Sequence, residues 1–404
     1  MDERKAVITG LGVIASIGKN GLEFWENLIA GKTGIGEVDL FDPSTFRVKI
    51  AAQVRGFTGE GYFTDRERRR FSRSDLLGLV AAREALRDCG LNFETVAMDR
   101  VAVVLGAGAG GVYPAELYRI ELYRRKRGRH PALLLSYPMG SLSDHLGNQW
   151  GFTGPRATID TACSSTITAI GFGSDLIQRG QADLVVAGGA ESLSQLTFSG
   201  FNALKALDPE PCRPFDRHRQ GLSLGEGAAM LILEEKTRAE NRGARIYGEV
   251  LGYGTSGDAH HITAPHPEGW GAVLSMRRAI SQAGIDAREI DFINAHGTAT
   301  LANDPIETKA IKEVFGRRAY EIPVTSIKSS IGHCLGAAGV FGAVSTIYAL
   351  NHGVLPPTLH FQERDPACDL DVVFNQARKK TIQKALCNAF AFGGNNSSIV
   401  FSRY

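Results

Sequence analysis

The chain carries one order of apolar strands and helical segments twice, and this repeat limits its fold more than any other feature. The first half runs from KAVITGLGVIAS through DRVAVVLGAGAGG and ADLVVAGGAES to GEGAAMLILEE, and the second from RIYGEVLGYGTS through IDFINAHGTAT to KALCNAFAFGGNNSSIVFS. Short buried strands that alternate with helices are typical of layered α/β proteins. With its seam near Gly243–Gly248, the repeat predicts two similar halves, residues 1–246 and 247–404, whose loops converge on one site.

Composition excludes several classes of protein. The 404 residues, 43% of them hydrophobic, suffice for a large core, and 45 Lys and Arg nearly balance 43 Asp and Glu, so no basic field indicates a nucleic-acid partner. The six cysteines are widely spaced, without a CxxC pair or a Cys/His cluster, which indicates a reducing compartment and no metal site. The charged start MDERKAVITG leads directly into a strand, and no apolar run approaches the roughly 18 residues of a membrane span. We therefore expect a cytoplasmic protein without a signal peptide.

The segment TIDTACSSTITAIGFG, residues 158–173, places Cys163 between a β-branched run and a helix-like run of small residues that ends at Gly180. The pattern predicts a strand-to-helix turn at Cys163, where free backbone N–H groups would favour the thiolate and could also bind an oxyanion. The alternative is a small apolar residue in a core, because free cysteine is among the most buried residue types. This segment alone leaves both interpretations open.

The second half supplies further polar side chains at equivalent places in the repeat. His296 follows the apolar strand IDFINA, Lys328 and His333 lie in KSSIGH, and Phe392 opens the glycine-rich turn FGGNN. Ligand sites of α/β proteins collect at strand ends, so these residues are candidates for a shared site. Taken singly, they also fit a core histidine, a surface lysine and a simple hairpin turn.

Four motifs together carry a resemblance to a known family. DTACSS, NAHGTAT with NDPIET, KSSIGH with GAAG, and FGGNN, in this order over nearly the whole chain, resemble the β-ketoacyl-acyl carrier protein synthases of the elongating type. The resemblance implies the thiolase fold, an α/β architecture in which two βαβαβαββ halves form a five-layered α-β-α-β-α sandwich. It also implies a homodimer, and it aligns Cys163 with the family's nucleophile.

The resemblance assigns a role to each motif in a decarboxylative Claisen condensation. Cys163 would carry the acyl group as a thioester, because a thiolate both attacks thioesters and leaves again readily. His296 and His333 would donate N–H bonds to the enolate oxygen formed from the malonyl group, and Lys328 would fix His333. The backbone N–H groups of Cys163 and Phe392 would form the oxyanion hole, with the Phe392 ring as a gate. No metal or redox cofactor is expected, since the substrates arrive on the phosphopantetheine of acyl carrier protein.

Three positions depart from the common family pattern. Gly342 stands where many fatty-acid members carry an acidic residue, and polyketide-type members often have glycine there. Ala109, in GAGAGG, stands where a bulkier residue usually lines the acyl pocket, so a longer or stiffer acyl chain would fit. Ala391 replaces the glycine that commonly starts the gate motif. These departures leave two pathways open, fatty-acid elongation and a specialised, polyketide-like elongation.

Three alternative functions belong to the same fold. A catalytically silent chain-length partner of a ketosynthase heterodimer would lack the cysteine, which this chain has at Cys163. A degradative thiolase would carry a second catalytic cysteine near its C-terminus in a CxG setting, which Cys387 lacks, and it would bind coenzyme A. An initiating synthase of the Cys-His-Asn type would have asparagine in place of His333.

The run DRERRRFSR predicts a docking surface. Acyl carrier proteins are acidic around their phosphopantetheine serine, and a basic patch near the tunnel mouth would steer them. Alignment with the family places Arg66, Arg69 and Arg70 on this surface, with Lys205 nearby. The alternative is a solvated helix face, as most charge runs are. The second basic run, at 123–130, receives no role, and whether the chain pairs with itself or with a related subunit is left open.

Overall fold

The computed structural model describes residues 4–92, 94, 96–125 and 131–404. Its strands follow the predicted order in both halves. They are β1 Ala6–Ala15, β2 Ile35–Glu37, β3 Ile50–Ala52, β4 Val101–Gly106, β5 Arg156–Ile159, β6 Leu184–Glu191, β7 Gly227–Glu235, β8 Gly248–Gly257, β9 Phe292–Asn294, β10 Val324–Thr325, β11 Val354–Leu355, β12 Arg378–Lys379, β13 Lys384–Phe390 and β14 Asn395–Ser402.

The helices alternate with these strands, and the first turns of several are capped by serine, threonine or asparagine side chains. They are α1 Gly21–Ile29, α2 Asp65–Arg68, α3 Arg73–Asp88, α4 Val112–Arg125, α5 Ser141–Trp150, α6 Ser165–Gln178, α7 Gln195–Ala203, α8 Lys236–Asn241, α9 Trp270–Gln282, α10 Asn303–Phe315, α11 Lys328–Ile331 and α12 Ala338–His352. None of the described helices is both long and apolar enough to traverse a bilayer.

Strand pairing repeats between the two halves. The order β5-β4-β6-β7-β1 in the first half matches β10-β9-β13-β14-β8 in the second, with parallel pairs in the first three strands of each set and antiparallel pairs toward β1 and β8. A short antiparallel pairing of β1 with β8 joins the sets. The seam lies between α8 and β8, and the division at residue 246 stays a prediction from the sequence.

Helices α6 and α12 form the middle layer of the molecule. Helix α6 packs against β4 and β6 of one set and against β8 and β14 of the other, while α12 packs against α6, β7 and β13. Helix α3 covers β1 and β7 on one outer face, and α9 covers β8 and β14 on the other. The predicted α-β-α-β-α layering is therefore confirmed.

Small residues let the middle layer pack closely. At Gly171 of α6, a Cβ atom would lie 2.3 Å from ring carbons of Tyr253 on β8, and at Gly339 of α12 it would lie 2.7 Å from the Ile167 side chain. Because glycine stands at these positions, α6 can pack closely between the two halves. Because Cys163 immediately precedes α6, the same packing fixes the position of the cysteine.

Candidate active site

Cys163 lies in the turn that links β5 to α6, as the sequence predicts. One turn of 3-10 helix, Ala162–Ser164, joins the strand to the helix. Ala162 has a φ of 52°, a left-handed conformation that is costly for a residue with a Cβ atom. The Ser165 hydroxyl donates to the Ala107 carbonyl at 3.0 Å and accepts from the Thr161 N–H at 2.9 Å, so hydrogen bonds hold the turn in this conformation.

A buried cavity of about 120 Å³ joins residues from both halves. Cys163 enters it from the first half, while His296, His333 and Phe392 enter from the second. The sequence-predicted residues thus meet at one place, with Lys328 behind them. The remaining lining residues are Phe201, Leu222, Asp258, Thr263, Pro265, Thr298, Thr300, Ala302, Asn303, Phe390, Ala391 and Asn396.

The hydrogen bonds of His333 determine its tautomer. Its Nδ1 accepts the backbone N–H of Leu335 at 3.0 Å, and its own backbone N–H donates to the Ser223 carbonyl at 2.7 Å. An acceptor at Nδ1 leaves the proton of the neutral imidazole on Nε2. His333 therefore presents its Nε2–H group as a hydrogen-bond donor at the cavity wall.

His296 is held by its backbone. Its N–H and that of Gly297 donate to the two carboxylate oxygens of Glu307, each at 2.8 Å, and its carbonyl accepts from the Lys328 ammonium group. The rings of His296 and His333 lie edge to face, with centroids 5.5 Å apart. The resemblance implies that Lys328 fixes His333. Its hydrogen bond goes instead to His296, because the lysine Nζ reaches the strand-end carbonyl behind the cavity.

Burial and charge keep both imidazoles neutral. Burial lowers the pKa of His296 well below its usual value, and the nearby Lys328 charge lowers it further. Burial and the Lys328 charge have the same effect on the pKa of His333. Burial also lowers the pKa of Lys328, but the Glu307 carboxylate opposes this shift. At neutral pH the cavity thus contains two uncharged N–H donors.

The Cys163 sulfur is a thiol in its resting form. Burial raises the pKa of Cys163 to about 11, although the Lys328 charge and the backbone N–H groups of Phe392 and Cys163 lower it. The backbone N–H groups thus favour the thiolate, as expected from the sequence, but the loss of hydration outweighs their effect. The two N–H groups nevertheless lie beside the sulfur, where an acyl oxygen would sit.

Phe392 lies in the turn between β13 and β14. Its ring stacks on Phe201, with centroids 5.9 Å apart and planes at 16°. Gly393 has a φ of 81°, and its N–H donates to the Ile262 carbonyl at 2.8 Å, which ties the turn to a neighbouring loop. Ala391 has an extended φ of −130°, a conformation that needs no glycine.

The remaining predicted residues lie outside the cavity lining. The backbone N–H of Ala109 donates to Glu191 at 3.0 Å, and the loop that carries it leads into α4. The predicted docking residues, Arg66, Arg69, Arg70 and Lys205, are all exposed. Within the basic run at 123–130, residues 126–130 lie outside the described residues.

Gly342 occupies a tight position in α12. A Cβ atom there would lie 2.9 Å from the Cys387 sulfur, and the Gly342 carbonyl accepts from the Asn294 side chain at 3.1 Å. The place that an acidic side chain takes in many relatives is thus filled by a thiol and an amide. Any larger side chain at Gly342 would have to displace Cys387.

The cavity also contains residues that sequence reasoning missed. Thr298, Thr300 and Asn303 line it, and Glu307 supports His296 from behind. All four lie within or just after the NAHGTAT and NDPIET motifs, so their proximity to His296 could have identified them. In the part of the chain that the structure describes, no group of three or more His, Cys, Asp or Glu side chains is arranged to hold a metal ion.

Comparison with known proteins agrees with this geometry. Two family models match, beta-ketoacyl synthase, N-terminal domain, over residues 3–239, and beta-ketoacyl synthase, C-terminal domain, over residues 247–362. The 3-oxoacyl-acyl-carrier-protein synthase 2 of Staphylococcus aureus (strain COL) is 37% identical over 412 residues, which cover 99% of this chain and 99% of the relative.

Solved structures extend the likeness to polyketide systems. A chain of the ishigamide ketosynthase/chain length factor superposes with a TM-score of 0.95 at 35% identity, covering 100% of both chains. A chain of AntDE:AntF, a type II PKS acyl-carrier protein in complex with its ketosynthase, superposes with a TM-score of 0.91 at 30% identity, also covering 100% of both. These full-length matches show that the chain belongs to the beta-ketoacyl synthase family and has its thiolase fold, as the sequence motifs indicate.

Proposed function

We propose that this chain catalyses the decarboxylative Claisen condensation of an acyl group, held as a thioester on Cys163, with malonyl-acyl carrier protein to give 3-oxoacyl-acyl carrier protein. The supporting observation is one buried cavity that brings Cys163 together with His296 and His333, beside the N–H groups of Cys163 and Phe392. A thiol nucleophile, two neutral N–H donors and a pair of amide donors are the groups that this reaction needs.

In the first step, Cys163 takes the acyl group from its carrier. The sulfur attacks the thioester carbonyl, the bond from carbon to the phosphopantetheine sulfur breaks, and the departing sulfur takes up the proton that the thiol loses. During this exchange the carbonyl oxygen gains negative charge, which the N–H groups of Cys163 and Phe392 would stabilise.

In the second step, the malonyl thioester loses carbon dioxide. The electrons of the breaking carbon–carbon bond form an enolate, whose oxygen would accept N–H bonds from His296 and His333. The enolate carbon then attacks the acyl carbonyl, and Cys163 leaves as a thiolate that regains a proton. Lys328 acts as a positioning residue, because it donates a hydrogen bond to the His296 carbonyl, and its charge adds to the burial that keeps both imidazoles neutral.

The reaction would use the phosphopantetheine of acyl carrier protein to bring in both substrates, with no metal or redox group taking part in these steps. The AntDE:AntF structure pairs a ketosynthase with its acyl-carrier protein, which supports the same partner for this chain. All six cysteines are free and buried, and a cytoplasmic location accords with this use of cysteine.

We further propose that the working form is a homodimer, or a heterodimer with a related chain-length subunit. The face formed by α4 and α7 exposes Leu117, Ile120 and Leu196, and a groove of about 600 Å³ runs between these helices. Strand β5 lies at the edge of its sheet with one side unpaired. The presence of Cys163 favours the catalytic over the silent subunit in either arrangement.

The experiment that tests the function uses the purified chain with malonyl-acyl carrier protein and a series of acyl-acyl carrier proteins, with products weighed by mass spectrometry. We expect a 3-oxoacyl product longer by one malonyl-derived unit. The range of acyl groups accepted separates fatty-acid from polyketide-like elongation. A silent partner subunit would give no product with any acyl donor, and that result would overturn the proposal.

Reversal of charge at Arg69 and Arg70 is expected to raise the apparent KM for carrier-protein substrates severalfold with little change in kcat, more so at low salt. Both side chains are exposed, so they can meet an acidic partner without rearrangement. The matched control is Arg317→Glu with Lys379→Glu, which makes the same charge change at exposed residues of the other half. An unchanged KM in the Arg69 and Arg70 variant would identify the run as a solvated surface.

Ala109→Phe is expected to slow transfer of long acyl groups to Cys163 by roughly tenfold or more while sparing short ones, because overpacking a close-fitting pocket costs about 1–3 kcal/mol. Ala109 lies three residues before Val112, which lines the groove beside α4, so an acyl chain passing Ala109 would run toward this face. The measurement is the acylation rate against chain length. Parallel profiles for the two proteins would mean that Ala109 does not line the acyl pocket.

A further inference from the structure

Glu191 is a buried carboxyl group that the proposed reaction does not use. It is the last residue of β6, it is 0% exposed, and it lies close enough to Cys163 to raise the pKa of that thiol. Burial raises its pKa to about 8, although the N–H groups of Ala109, Gly108 and Gly336 lower it. No cation pairs with it among the described residues, so backbone N–H groups are its partners.

The two segments that Glu191 binds are far apart in sequence. Its Oε1 accepts the N–H groups of Gly108 and Ala109, at 2.5 and 3.0 Å, and the Gly336 N–H lies near enough to the same carboxyl group to help lower its pKa. Gly108 and Ala109 belong to the loop that the family resemblance places at the acyl pocket. Gly336 lies in the turn Leu335–Ala337, directly after His333.

The contact between the two turns requires glycine at positions 108 and 336. A Cβ atom at Gly336 would lie 2.5 Å from the Gly108 nitrogen and 2.7 Å from Glu191 Oε1, and one at Gly108 would lie 2.9 Å from the same oxygen. Real Cβ atoms do not approach so closely, so the two turns pack back to back around the carboxylate. Both turns therefore lie against the same oxygen atom, Glu191 Oε1.

The turn at Gly336 also controls a catalytic group. Leu335 donates its N–H to His333 Nδ1 at 3.0 Å and so fixes the tautomer, while the Gly336 carbonyl accepts from the Thr166 hydroxyl on α6 at 2.9 Å. A shift of this turn would therefore misdirect the His333 Nε2–H and loosen α6 behind Cys163. Through this turn, Glu191 is thus connected both to His333 and to the helix that follows Cys163.

We propose that Glu191 is a positioning residue that locks the Gly108–Ala109 loop to the turn after His333, so that the acyl-pocket loop and the His333 imidazole hold one fixed geometry. The inference rests on the proposed function, since it concerns how His333 is aimed during decarboxylation. Glutamine reproduces this arrangement only in part, because its amide oxygen can replace Oε1 but its NH2 group would face the Ala109 N–H that lies 3.2 Å from Oε2.

The test measures two rates in the full-length Glu191→Gln protein: the rate of malonyl decarboxylation and the rate at which iodoacetamide alkylates Cys163. We expect the kcat for malonyl decarboxylation to fall about tenfold at unchanged KM for malonyl-acyl carrier protein, while iodoacetamide alkylates Cys163 at the wild-type rate or faster, since any charge on Glu191 raises the pKa of Cys163 and glutamine carries none. Partial unfolding would instead expose the other five buried cysteines, so that iodoacetamide would label them as well as Cys163, which peptide mass mapping detects. Glu191→Asp, which keeps a shorter carboxylate, should fall between wild type and Glu191→Gln.

Glu235→Gln is the matched control, because Glu235 is also a buried carboxylate at a strand end that accepts two backbone N–H groups. It should leave decarboxylation unchanged. If Glu191→Gln fails to fold, Gly336→Ala, which forces the two turns apart, should give the same split between decarboxylation and alkylation. Wild-type decarboxylation in Glu191→Gln or Gly336→Ala would overturn the inference, whereas an inactive wild-type protein would overturn the proposed function instead.

Discussion

Cys163→Ala is expected to abolish acyl-enzyme formation and chain elongation, with a loss on the order of 10⁴-fold or more in kcat, as for other enzymes that lose a covalent nucleophile. The reason is that the cavity holds no second thiol, since Cys163 is the one cysteine among its lining residues. The measurements are the mass of the protein after exposure to acyl-acyl carrier protein and the yield of 3-oxoacyl product.

A second variant, Cys163→Gln, separates decarboxylation from chain elongation. The glutamine carboxamide resembles the acyl thioester, and its oxygen can accept the N–H groups of residue 163 and Phe392 that lie beside the Cys163 sulfur. We expect this variant to decarboxylate malonyl-acyl carrier protein without elongating any chain. Cys89→Ala, at a buried cysteine outside the cavity, should retain elongation. Elongation by Cys163→Ala would show that the mechanism is wrong.

The repeat and the motifs made most of the fold predictable. Apolar strands bounded by turn residues fix the order of elements, and the C-terminal ends of parallel strands meet at one edge of a sheet. This is why Cys163 after β5 and His296 after β9 could be assigned to one site before their contacts were known. The βαβαβαββ order of each half came from the family resemblance rather than from these local signals.

Contacts between distant residues could not be predicted in the same way. Glu191 meets Ala109 and Gly336, and Gly342 meets Cys387, across stretches that carry no shared local pattern. The pKa of Cys163 could not be predicted from the sequence either, because it depends on how far folding removes water from around the sulfur. A helix-end position can be inferred from sequence, but the competing cost of burial cannot.

His333→Ala is expected to lower kcat for malonyl decarboxylation by about 10²–10³-fold, the usual loss when one preorganised donor to a developing oxyanion is removed. Acylation of Cys163 should persist, since its oxyanion donors are the backbone N–H groups of Cys163 and Phe392. His352→Ala is a matched control, because His352 ends α12 and lies outside the cavity lining. Equal loss of acylation and decarboxylation in His333→Ala would contradict the separate roles.

The pH profile tests the same imidazoles without mutating them. Decarboxylation by Cys163→Gln should show no inflection near the ordinary histidine pKa of about 6.5, because burial and the Lys328 charge lower the pKa of both His296 and His333 well below it. The active form is the neutral one, so activity is retained as pH falls through 6.5 and is lost only when pH reaches the lowered values. A loss centred near pH 6.5 would mean that at least one imidazole is solvated and titrates freely, which the buried, edge-to-face arrangement of the two rings does not allow.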